Sequence, residues 1–355
     1  MHAPSPEPSP APPRARARPP RWPWAAALAW LAALLLLLAA FAFVGEEAWP
    51  VVLLLYLPRL PWILPGLLLL PLALRRGRRA LLLPLAAGAL IWLFPLMGFV
   101  PPRLPARPAG PTLRVLSYNT GHAVDGVESL RALVRGTGAD LVLFQWTSHE
   151  AEAALRGPGF EGWTVRRAGQ FTVASRFPVR SIEAVGFPAP PDGALPCAHA
   201  VVESPLGTVD VYAMRPKSAR IELAARRKMG LRHRVAEFVE DLESGRLAAS
   251  AALRESQTRS VAAEAARARH LVLIAGDSNL PGGSRLLRTA LGGYRDAFAE
   301  AGWGFGYSYP ARLPWMRLDR VLLGPGLRAV SFAVQGRRVS GHRAILAEIA
   351  GAPAR

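Results

Sequence analysis

Cysteine, charged residues and familiar short motifs are all scarce in this chain of 355 residues. Its one cysteine, Cys197, excludes an internal disulfide, so packing alone must hold the fold together. Charged residues make up 19% of the chain and hydrophobic residues 51%, which excludes a disordered polyelectrolyte and allows a large core. The sequence also lacks internal repeats, C-x-x-C pairs, a P-loop and a G-x-G-x-x-G fingerprint, so none of the classes that these patterns define is indicated.

The basic residues are almost all arginines. Lys217 and Lys228 are the only lysines, yet basic residues outnumber acidic ones and give a net charge of +18. Five basic residues cluster on a predicted helix: Arg226, Arg227, Lys228, Arg232 and Arg234. Such a run is typical either of a solvated helix face or of a contact with anionic lipid headgroups or nucleic acid. No interleaved aromatic residues support stacking on nucleic acid bases.

Long uncharged runs occupy most of the first hundred residues. Residues 24–44 contain no charged side chain, and a helix of that length crosses a hydrocarbon layer of about 30 Å. Residues 80–100 form a similar run, whereas residues 49–74 are interrupted by Arg59 and several prolines. Within residues 23–100 these runs predict three transmembrane helices, the second of them irregular. We expect Arg59 to lie near an outer helix end, where its charge reaches the interface.

Arginines flank these runs on one side. Four precede the first run and four separate the second from the third: Arg14, Arg16, Arg18, Arg21, Arg75, Arg76, Arg78 and Arg79. By the positive-inside rule the N-terminus is cytoplasmic, and three crossings place everything after Val100 on the far side. We therefore expect an integral protein of a bacterial inner-membrane type, in contact with membrane lipids, with an extracytoplasmic soluble domain. If the second run is only re-entrant, the domain returns to the cytoplasm and the arginine cluster 75–79 lies outside, against the rule.

The rest of the chain divides by composition. Residues 1–22 are rich in proline and arginine and poor in apolar residues, which predicts a disordered cytoplasmic tail. Residues 101–112 are a Pro-rich linker. Residues 113–351 have the composition of a soluble domain. Within that domain, residues 217–269 contain no proline and predict a helical insertion of two helices, broken near Gly245.

Short runs of β-branched and aromatic residues recur through the soluble domain. Residues 113–119 and 140–145 predict two strands, and the apolar spacing of residues 127–134 predicts a helix between them. Further strands are predicted at residues 170–175, 181–185, 198–203, 208–213, 271–275, 317–323, 329–334 and 344–349. This pattern is typical of an α/β domain in which strands outnumber helices.

The candidate functional residues stand where predicted strands end. Asn119 ends the first strand, and the segment HLVLIAGDSN places Asp277 and Asn279 directly after a buried strand. A carboxylate beside an amide suits a hard divalent cation or a phosphoryl oxygen. Nearer the C-terminus, Asp319 and His342 supply a carboxylate and an imidazole. A carboxylate that holds an imidazole fixes the tautomer needed for general-base catalysis.

The order of several short segments resembles a known family: SYN at 117–119, ADLVLFQ at 139–145, SRFPV at 175–179, GDSN at 276–279, DAFAEAG at 296–302, RLDRVL at 317–322 and SGHRAILAEI at 340–349. This order is similar to that of the endonuclease/exonuclease/phosphatase superfamily. The preceding apolar runs resemble its membrane-attached bacterial branch with three N-terminal spans. The resemblance implies an α/β fold, specifically a four-layer αββα sandwich, and hydrolysis of phosphate esters with Mg²⁺ or Mn²⁺. The family's substrates range from nucleic acids to phosphoinositides and sphingomyelin.

The resemblance implies roles for five residues. Asn119 matches an asparagine that orients the metal and the phosphate. Asp277 and Asn279 match a pair that positions the attacking water and holds the phosphate, and both are candidate metal ligands. Asp319 matches the aspartate that orients the catalytic histidine, and His342 matches that histidine.

Three positions depart from the family pattern. The resemblance implies a metal-binding glutamate at Trp146, a histidine at Arg215 and a second aspartate at Gly341. Loss of two carboxylates weakens a site for a hard cation, although Glu150 is an alternative carboxylate. Arg215 can hold a phosphate but cannot accept a proton. We expect the Trp146 ring to be a core aromatic that fills the volume of the metal site.

Two functions therefore stay open. The first is a metal-dependent phosphodiesterase or phosphatase with a reshaped metal site, in which Arg215 and Asn119 steady the phosphate. His342, oriented by Asp319, then contributes acid/base catalysis. The second is a catalytically silent relative that needs no metal and binds a phosphate-bearing ligand, a lipid or an envelope partner. The departures from the family pattern favour the second function, and the retained residues favour the first.

Overall fold

The computed structural model of the chain describes residues 21–75, 78–104, 108, 110–121, 126–186, 195–218 and 245–352. The predicted tail, apart from its last two residues, lies outside these ranges, as do the basic run 226–234 and residues 219–244 of the predicted insertion. The described chain begins with a helical region and continues into a domain of two β-sheets.

Two stretches of the helical region have the length and apolarity of membrane-crossing helices. Helix α1 spans Trp22–Ala39 and continues through π- and 3₁₀-turns to Glu47. Helix α4 spans Leu82–Ile91 within a helical stretch from Arg79 to Leu96. Both stretches are long and apolar enough to cross a membrane, as the first and third apolar runs predict.

The apolar segment between them is bent. Helices α2, Trp49–Tyr56, and α3, Leu64–Ala73, belong to two halves that meet at 90°. Pro58 and Pro61 stand at the break, because a proline lacks an amide donor and disfavours helical geometry in the residue before it. Arg59 lies in the break and donates to backbone carbonyl groups of α2, of the α4 stretch and of the domain. The irregular second helix is thus a bent pair, which adds a third crossing only where its halves form one span.

Close packing around Trp30 holds these helices together. A Cβ atom added to Gly66 on α3 or to Gly88 on α4 would lie 2.5 or 2.4 Å from the Trp30 ring, so only glycine fits at either position. The indole Nε1 of Trp30 also donates a hydrogen bond of 2.8 Å to the carbonyl oxygen of Trp62. Small residues thus let three helices approach one large ring, as is common between membrane helices.

The domain contains twelve described strands in two sheets. They are β1 Thr112–Asn119, β2 Leu141–Gln145, β3 Thr164–Ala168, β4 Phe171–Ser175, β5 Val179–Val185, β6 Cys197–Ser204, β7 Gly207–Met214, β8 Leu271–Asp277, β9 Arg295–Asp296, β10 Asp319–Leu323, β11 Leu327–Val334 and β12 Ile345–Gly351. The described helices of the domain are α5 Val127–Thr137, α6 His149–Ala154, α7 Arg246–Ala265, α8 Arg285–Thr289 and α9 Ala297–Ala301.

The first sheet has the strand order β11-β12-β1-β2-β4-β3 and the second the order β5-β6-β7-β8-β10-β9. Both are mixed, because β1 pairs with β2 and β7 with β8 in parallel while the other neighbours are antiparallel. Alternate side chains such as Val115 and Leu143 from one sheet, and Val211 and Leu273 from the other, meet in a shared buried core. Helices α5 and α6 cover the outside of the first sheet, and α7 and α8 that of the second. The fold is therefore the predicted α/β sandwich of two sheets between helices.

Strands form at every predicted run, but β3 and β9 were not predicted. β3 contains Arg166 and Arg167 and lies at a sheet edge, where polar side chains replace the apolar alternation that marks a buried strand. β9 has only two residues. The predicted break near Gly245 coincides with the start of α7, where this glycine has a φ of +68°.

Asp210 of β7 contacts two histidines of the second sheet region, His199 of β6 and His270 directly before β8. Its carboxylate lies 2.7 Å from Nε2 of His199 and 2.9 Å from Nδ1 of His270, and it accepts a 3.0 Å hydrogen bond from the His270 amide. Burial acts to raise the pKa of Asp210, but these hydrogen bonds hold that pKa below its ordinary value.

We expect Asp210→Asn to lower the free energy of unfolding by about 1–3 kcal/mol at pH 7, since the hydrogen bonds to a charged acceptor are weakened. Because the folded-state pKa is lowered, this contribution is complete above the unfolded-state pKa and disappears as the pH falls through the folded-state value. Thermal unfolding of the full-length protein in detergent measures both effects. Glu183→Gln, which alters an exposed carboxylate beside the same His199, is the control. Equal melting temperatures of the Asp210→Asn and Glu183→Gln variants at pH 7 would contradict this account.

Candidate active site

Four predicted residues meet where strands of both sheets end. Asn119 is the last residue of β1, and Asp277 is the last residue of β8. Asp319 is the first residue of β10 and lies directly opposite Asp277 in the antiparallel pairing of β10 with β8. His342 precedes β12 by three residues. The sandwich therefore brings together side chains that are more than two hundred residues apart in the chain.

The four side chains form one buried hydrogen-bonded cluster. Asp319 Oδ2 lies 2.8 Å from His342 Nδ1, and His342 Nε2 lies 3.6 Å from Asp277 Oδ2. Asn119 Nδ2 donates to Asp277 Oδ2 at 2.8 Å and lies 3.4 Å from His342 Nε2. His342 is 6% exposed and the other three are exposed by 2% or less. Because Nδ1 faces a carboxylate, it carries the proton, and Nε2 is the atom that can exchange one.

Three residues that sequence reasoning missed hold this cluster in place. Ser340 Oγ donates to the carbonyl oxygen of Asn119 at 2.7 Å and accepts from the amide of His342 at 3.1 Å. Ser308 Oγ accepts from the amide of the orienting aspartate at 3.2 Å. The Tyr309 ring packs against the imidazole at a centroid distance of 4.8 Å. Only Ser340 has a sequence signal, since it stands two residues before the histidine.

Asn279 supports the turn after β8. Its backbone N–H donates to Asp277 Oδ1 at 3.0 Å, and its side-chain Nδ2 donates to the carbonyl oxygen of Pro216 at 2.8 Å. The φ angle of Asn279 is +50°. Gly276 precedes this turn with a φ of +148°, and a Cβ atom there would lie 2.1 Å from the carbonyl oxygen of Met214 on β7. Glycine is therefore required where β8 passes β7 on its way into the cluster.

The helical region also reaches this turn. The hydroxyl of Tyr56, at the end of α2, donates a 2.6 Å hydrogen bond to the carbonyl oxygen of Asn279. Tyr56 is 7% exposed. Its signal in the sequence is a tyrosine within an apolar run, because a buried tyrosine hydroxyl requires a hydrogen-bond partner.

Trp146 and Arg215 pack against each other at the exit of β2. The guanidinium of Arg215 lies 4.4 Å from the centre of the Trp146 ring, and Arg215 Nη1 donates to Gln170 Oε1 at 2.8 Å. Trp146 is 36% exposed, so the expectation of a core aromatic is wrong. The physical reason is its place just beyond the strand, where a φ of +52° turns the chain out of the sheet. The ring and the cation instead form a cation–π contact.

Gly341 and Glu150 occupy open positions. A Cβ atom built on Gly341 would meet no atom within 4 Å, so a side chain fits beside His342. Glu150 is exposed in the first turn of α6. Among the described residues, the group of carboxylates and imidazoles that could hold a metal ion comprises Asp277, Asp319 and His342, whose ligand atoms lie within 4.8 Å of one another.

This group fits a divalent cation in part. Asp319 Oδ1 is buried and has no hydrogen-bond partner in the described chain, so it is an acceptor that a cation would satisfy. Two carboxylates and an imidazole suit Mn²⁺ better than Mg²⁺, which prefers oxygen ligands throughout. Asp277, Asp319 and His342 are the residues that would hold such an ion.

The sequence and fold agree with a known family. The sequence profile of the Endonuclease/Exonuclease/phosphatase family matches residues 116–340, and the chain belongs to this family. No curated protein matches the sequence.

The structure is similar to several solved structures at low identity. An endonuclease/exonuclease/phosphatase from Beutenbergia cavernae is 19% identical, with 69% of this chain and 72% of that chain covered and a TM-score of 0.45. D. rerio TDP2 humanized by 14 mutations is 16% identical, with coverages of 67% and 99% and a TM-score of 0.48. The 3′ phosphatase NExo from Neisseria bound to product DNA hairpin is 15% identical, with coverages of 66% and 98% and a TM-score of 0.47. These likenesses concern the fold alone.

A double substitution tests whether Trp146 and Gly341, two positions that differ from the family pattern, face the cluster. We expect Trp146→Glu with Gly341→Asp to strengthen Mg²⁺ and Mn²⁺ binding at least about tenfold, because each adds a carboxylate. Calorimetric titration of the full-length protein in detergent measures the affinity. Gly336→Asp, which also adds a carboxylate where a Cβ meets no atom within 4 Å, is the control. A folded double variant with unchanged affinity would mean that these positions do not face the cluster.

Proposed function

We propose that this chain is a membrane-anchored, metal-dependent phosphoester hydrolase. The observation that carries the proposal is the geometry of His342, whose Nδ1 is held by Asp319 at 2.8 Å while Nε2 faces Asp277 at 3.6 Å. An imidazole with a fixed tautomer beside a second carboxylate is the arrangement that acid/base chemistry at a phosphate requires. Membership of the endonuclease/exonuclease/phosphatase family supports the same reaction class.

In the proposed reaction the described residues have separate tasks. Asp277 orients the attacking water and accepts its proton, and the amide of Asn119 steadies a phosphate oxygen. As the P–O bond to the leaving group breaks, protonated His342 donates its Nε2 proton to the leaving oxygen, while Asp319 keeps the ring in place. A bound divalent cation supplies further neutralisation of the phosphate charge. Arg215, which is charged at every relevant pH, offers a further phosphate contact.

We also propose that the N-terminus is cytoplasmic and the domain extracytoplasmic, with the bent pair as a crossing element. Two contacts support this: Arg288 of α8 donates to the carbonyl oxygen of Ala42 after α1, and Tyr307 donates to that of Met97 after α4. The domain thus meets the helical region at the ends of α1 and α4. Near the other ends of α3 and α4 lie the described arginines Arg75, Arg78 and Arg79. The positive-inside rule places these arginines in the cytoplasm.

A second function, binding without hydrolysis, is favoured by the Trp146–Arg215 contact. The family resemblance implies a carboxylate at the exit of β2, whereas this chain places a cation over an aromatic ring there. Such a pair attracts a phosphate-bearing ligand or an anionic lipid but ligates no metal. Nucleic acid is a weaker candidate, since the sequence lacks an interleaved aromatic and basic pattern.

Calorimetry and a phosphodiester assay separate the two functions. We expect Mn²⁺ and Mg²⁺ to bind the full-length protein in detergent and to support hydrolysis of bis-p-nitrophenyl phosphate, which a chelator and Asp277→Ala abolish. His342→Gln should lower turnover by about 10²–10⁴-fold. His199→Gln, at an imidazole that also contacts a buried aspartate but lies outside the cluster, is the matched control.

The other results are equally informative. Saturable binding of inorganic phosphate without turnover, weakened by Arg215→Gln, would favour the silent relative. Turnover that survives Asp277→Ala would place the reaction at another site and overturn the assignment of the cluster.

A further inference from the structure

A partly open cavity with both polar and apolar lining lies where the helical region meets the domain. Its volume is about 280 Å³. Its lining includes Arg59 from the break of the bent pair, the chain around Met97 after α4, Arg317 just before β10 and Arg320 within β10. Successive side chains of a strand point to opposite faces of the sheet, so Arg320 lies on the face opposite that of Asp319. The cavity is therefore separate from the catalytic cluster.

The lining carries more positive than negative charge. Asp296 is the single acidic side chain among the described residues that line the cavity. Its Oδ2 accepts hydrogen bonds from Arg317 Nη1 at 2.6 Å and from Arg320 Nη1 at 2.9 Å. Burial acts to raise the pKa of Asp296, but the two guanidinium charges hold that pKa below its ordinary value. Arg59 hydrogen-bonds to backbone carbonyl oxygens. Three guanidinium groups and one carboxylate thus line the same cavity.

Two buried donors of the lining have no partner in the described chain. Arg320 is 2% exposed and its Nε makes no hydrogen bond, although Nη1 and Nη2 do. The indole Nε1 of Trp315 is buried and equally without a partner. Burial and the neighbouring charge of Arg317 lower the pKa of Arg320 to about 9. An unmade hydrogen bond from a buried donor costs about 1–3 kcal/mol and more when the donor is charged.

We propose that this cavity binds a phosphate group, held by Arg59, Arg317 and Arg320, at the junction of membrane helices and domain. Guanidinium groups match the geometry and charge of phosphate oxygens, and the excess of two positive charges equals the charge of a phosphate monoester dianion. The volume exceeds that of inorganic phosphate alone, so it accommodates an esterified group. The phosphate comes either from an anionic phospholipid headgroup or from a soluble phosphate. The ligand would join the helical region, through Arg59, to the domain, through the other two arginines.

The test uses full-length protein in neutral detergent and two probes, inorganic phosphate and dihexanoyl phosphatidic acid. Native mass spectrometry counts bound molecules, and calorimetry measures the affinity. The Arg215→Gln variant serves as the background, since it removes the phosphate contact proposed at the candidate active site. In it we expect one saturable equivalent whose affinity falls at least about tenfold when Arg317→Gln or Arg59→Gln is added.

Arg180→Gln in the same background is a control at an exposed arginine paired with Glu203 on the domain surface, and it should leave the binding unchanged. Asn119→Ala, which alters the catalytic cluster, should also leave this binding unchanged, so the proposal and the proposed hydrolase function can fail separately.

The two probes identify the source of the phosphate. Similar affinities for both probes support the proposal and identify a soluble phosphate as the ligand. Binding of the lipid alone also supports the proposal and identifies a lipid headgroup as the ligand. No saturable binding of either probe would overturn it. So would equal affinities of the Arg215→Gln background and the folded variants that add Arg317→Gln or Arg59→Gln to it.

Discussion

The candidate site depends on one backbone constraint, the antiparallel pairing of β8 with β10. In this register Asp277, the last residue of one strand, lies opposite Asp319, the first residue of the other. Opposed residues share a face, so two buried carboxylates lie close together, an arrangement that is unfavourable without intervening donors. His342 and the amide of Asn119 supply those donors. The imidazole is therefore held by its hydrogen bond to Asp319 as well as by its own loop.

The helical region supports this site through a direct contact. Tyr56 reaches from α2 to the carbonyl oxygen of Asn279, two residues after the carboxylate of β8. Val100 and Gly304 exchange two backbone hydrogen bonds of 2.8 Å, so the chain already pairs with the domain before the predicted linker 101–112 begins. Within the linker, Arg103 Nη1 donates to the carbonyl oxygen of Ala299 at 2.9 Å. Rearrangement of the helices would move the turn after β8, because a buried hydrogen bond transmits the displacement.

Most of the fold could be predicted because buried strands carry a strong local signal, and the strand ends located Asn119, Asp277 and Asp319 without knowledge of the pairing. The features that were not predicted depend on contacts between residues far apart in the chain, which the local sequence does not encode. The exposure of Trp146 follows from a positive φ just beyond β2, which apolar character alone does not predict. The contact of Tyr56 with the site depends on how helices dock on the domain. In each case a tertiary contact overrides the local preference of the residue.

The Arg215–Trp146 contact changes the electrostatic basis of the proposed reaction. A carboxylate at the exit of β2 would repel a phosphate until a metal ion bound, so the metal would have to precede the substrate. In the proposed reaction the guanidinium there would attract the phosphate directly, and its contact with the Trp146 ring would fix its orientation. Because arginine neither accepts nor releases a proton, all proton exchange then falls to His342 and Asp277. In the proposed chemistry Arg215 thus adds charge neutralisation to that of the cation which Asp277, Asp319 and His342 would hold, and the buried imidazole contributes proton transfer.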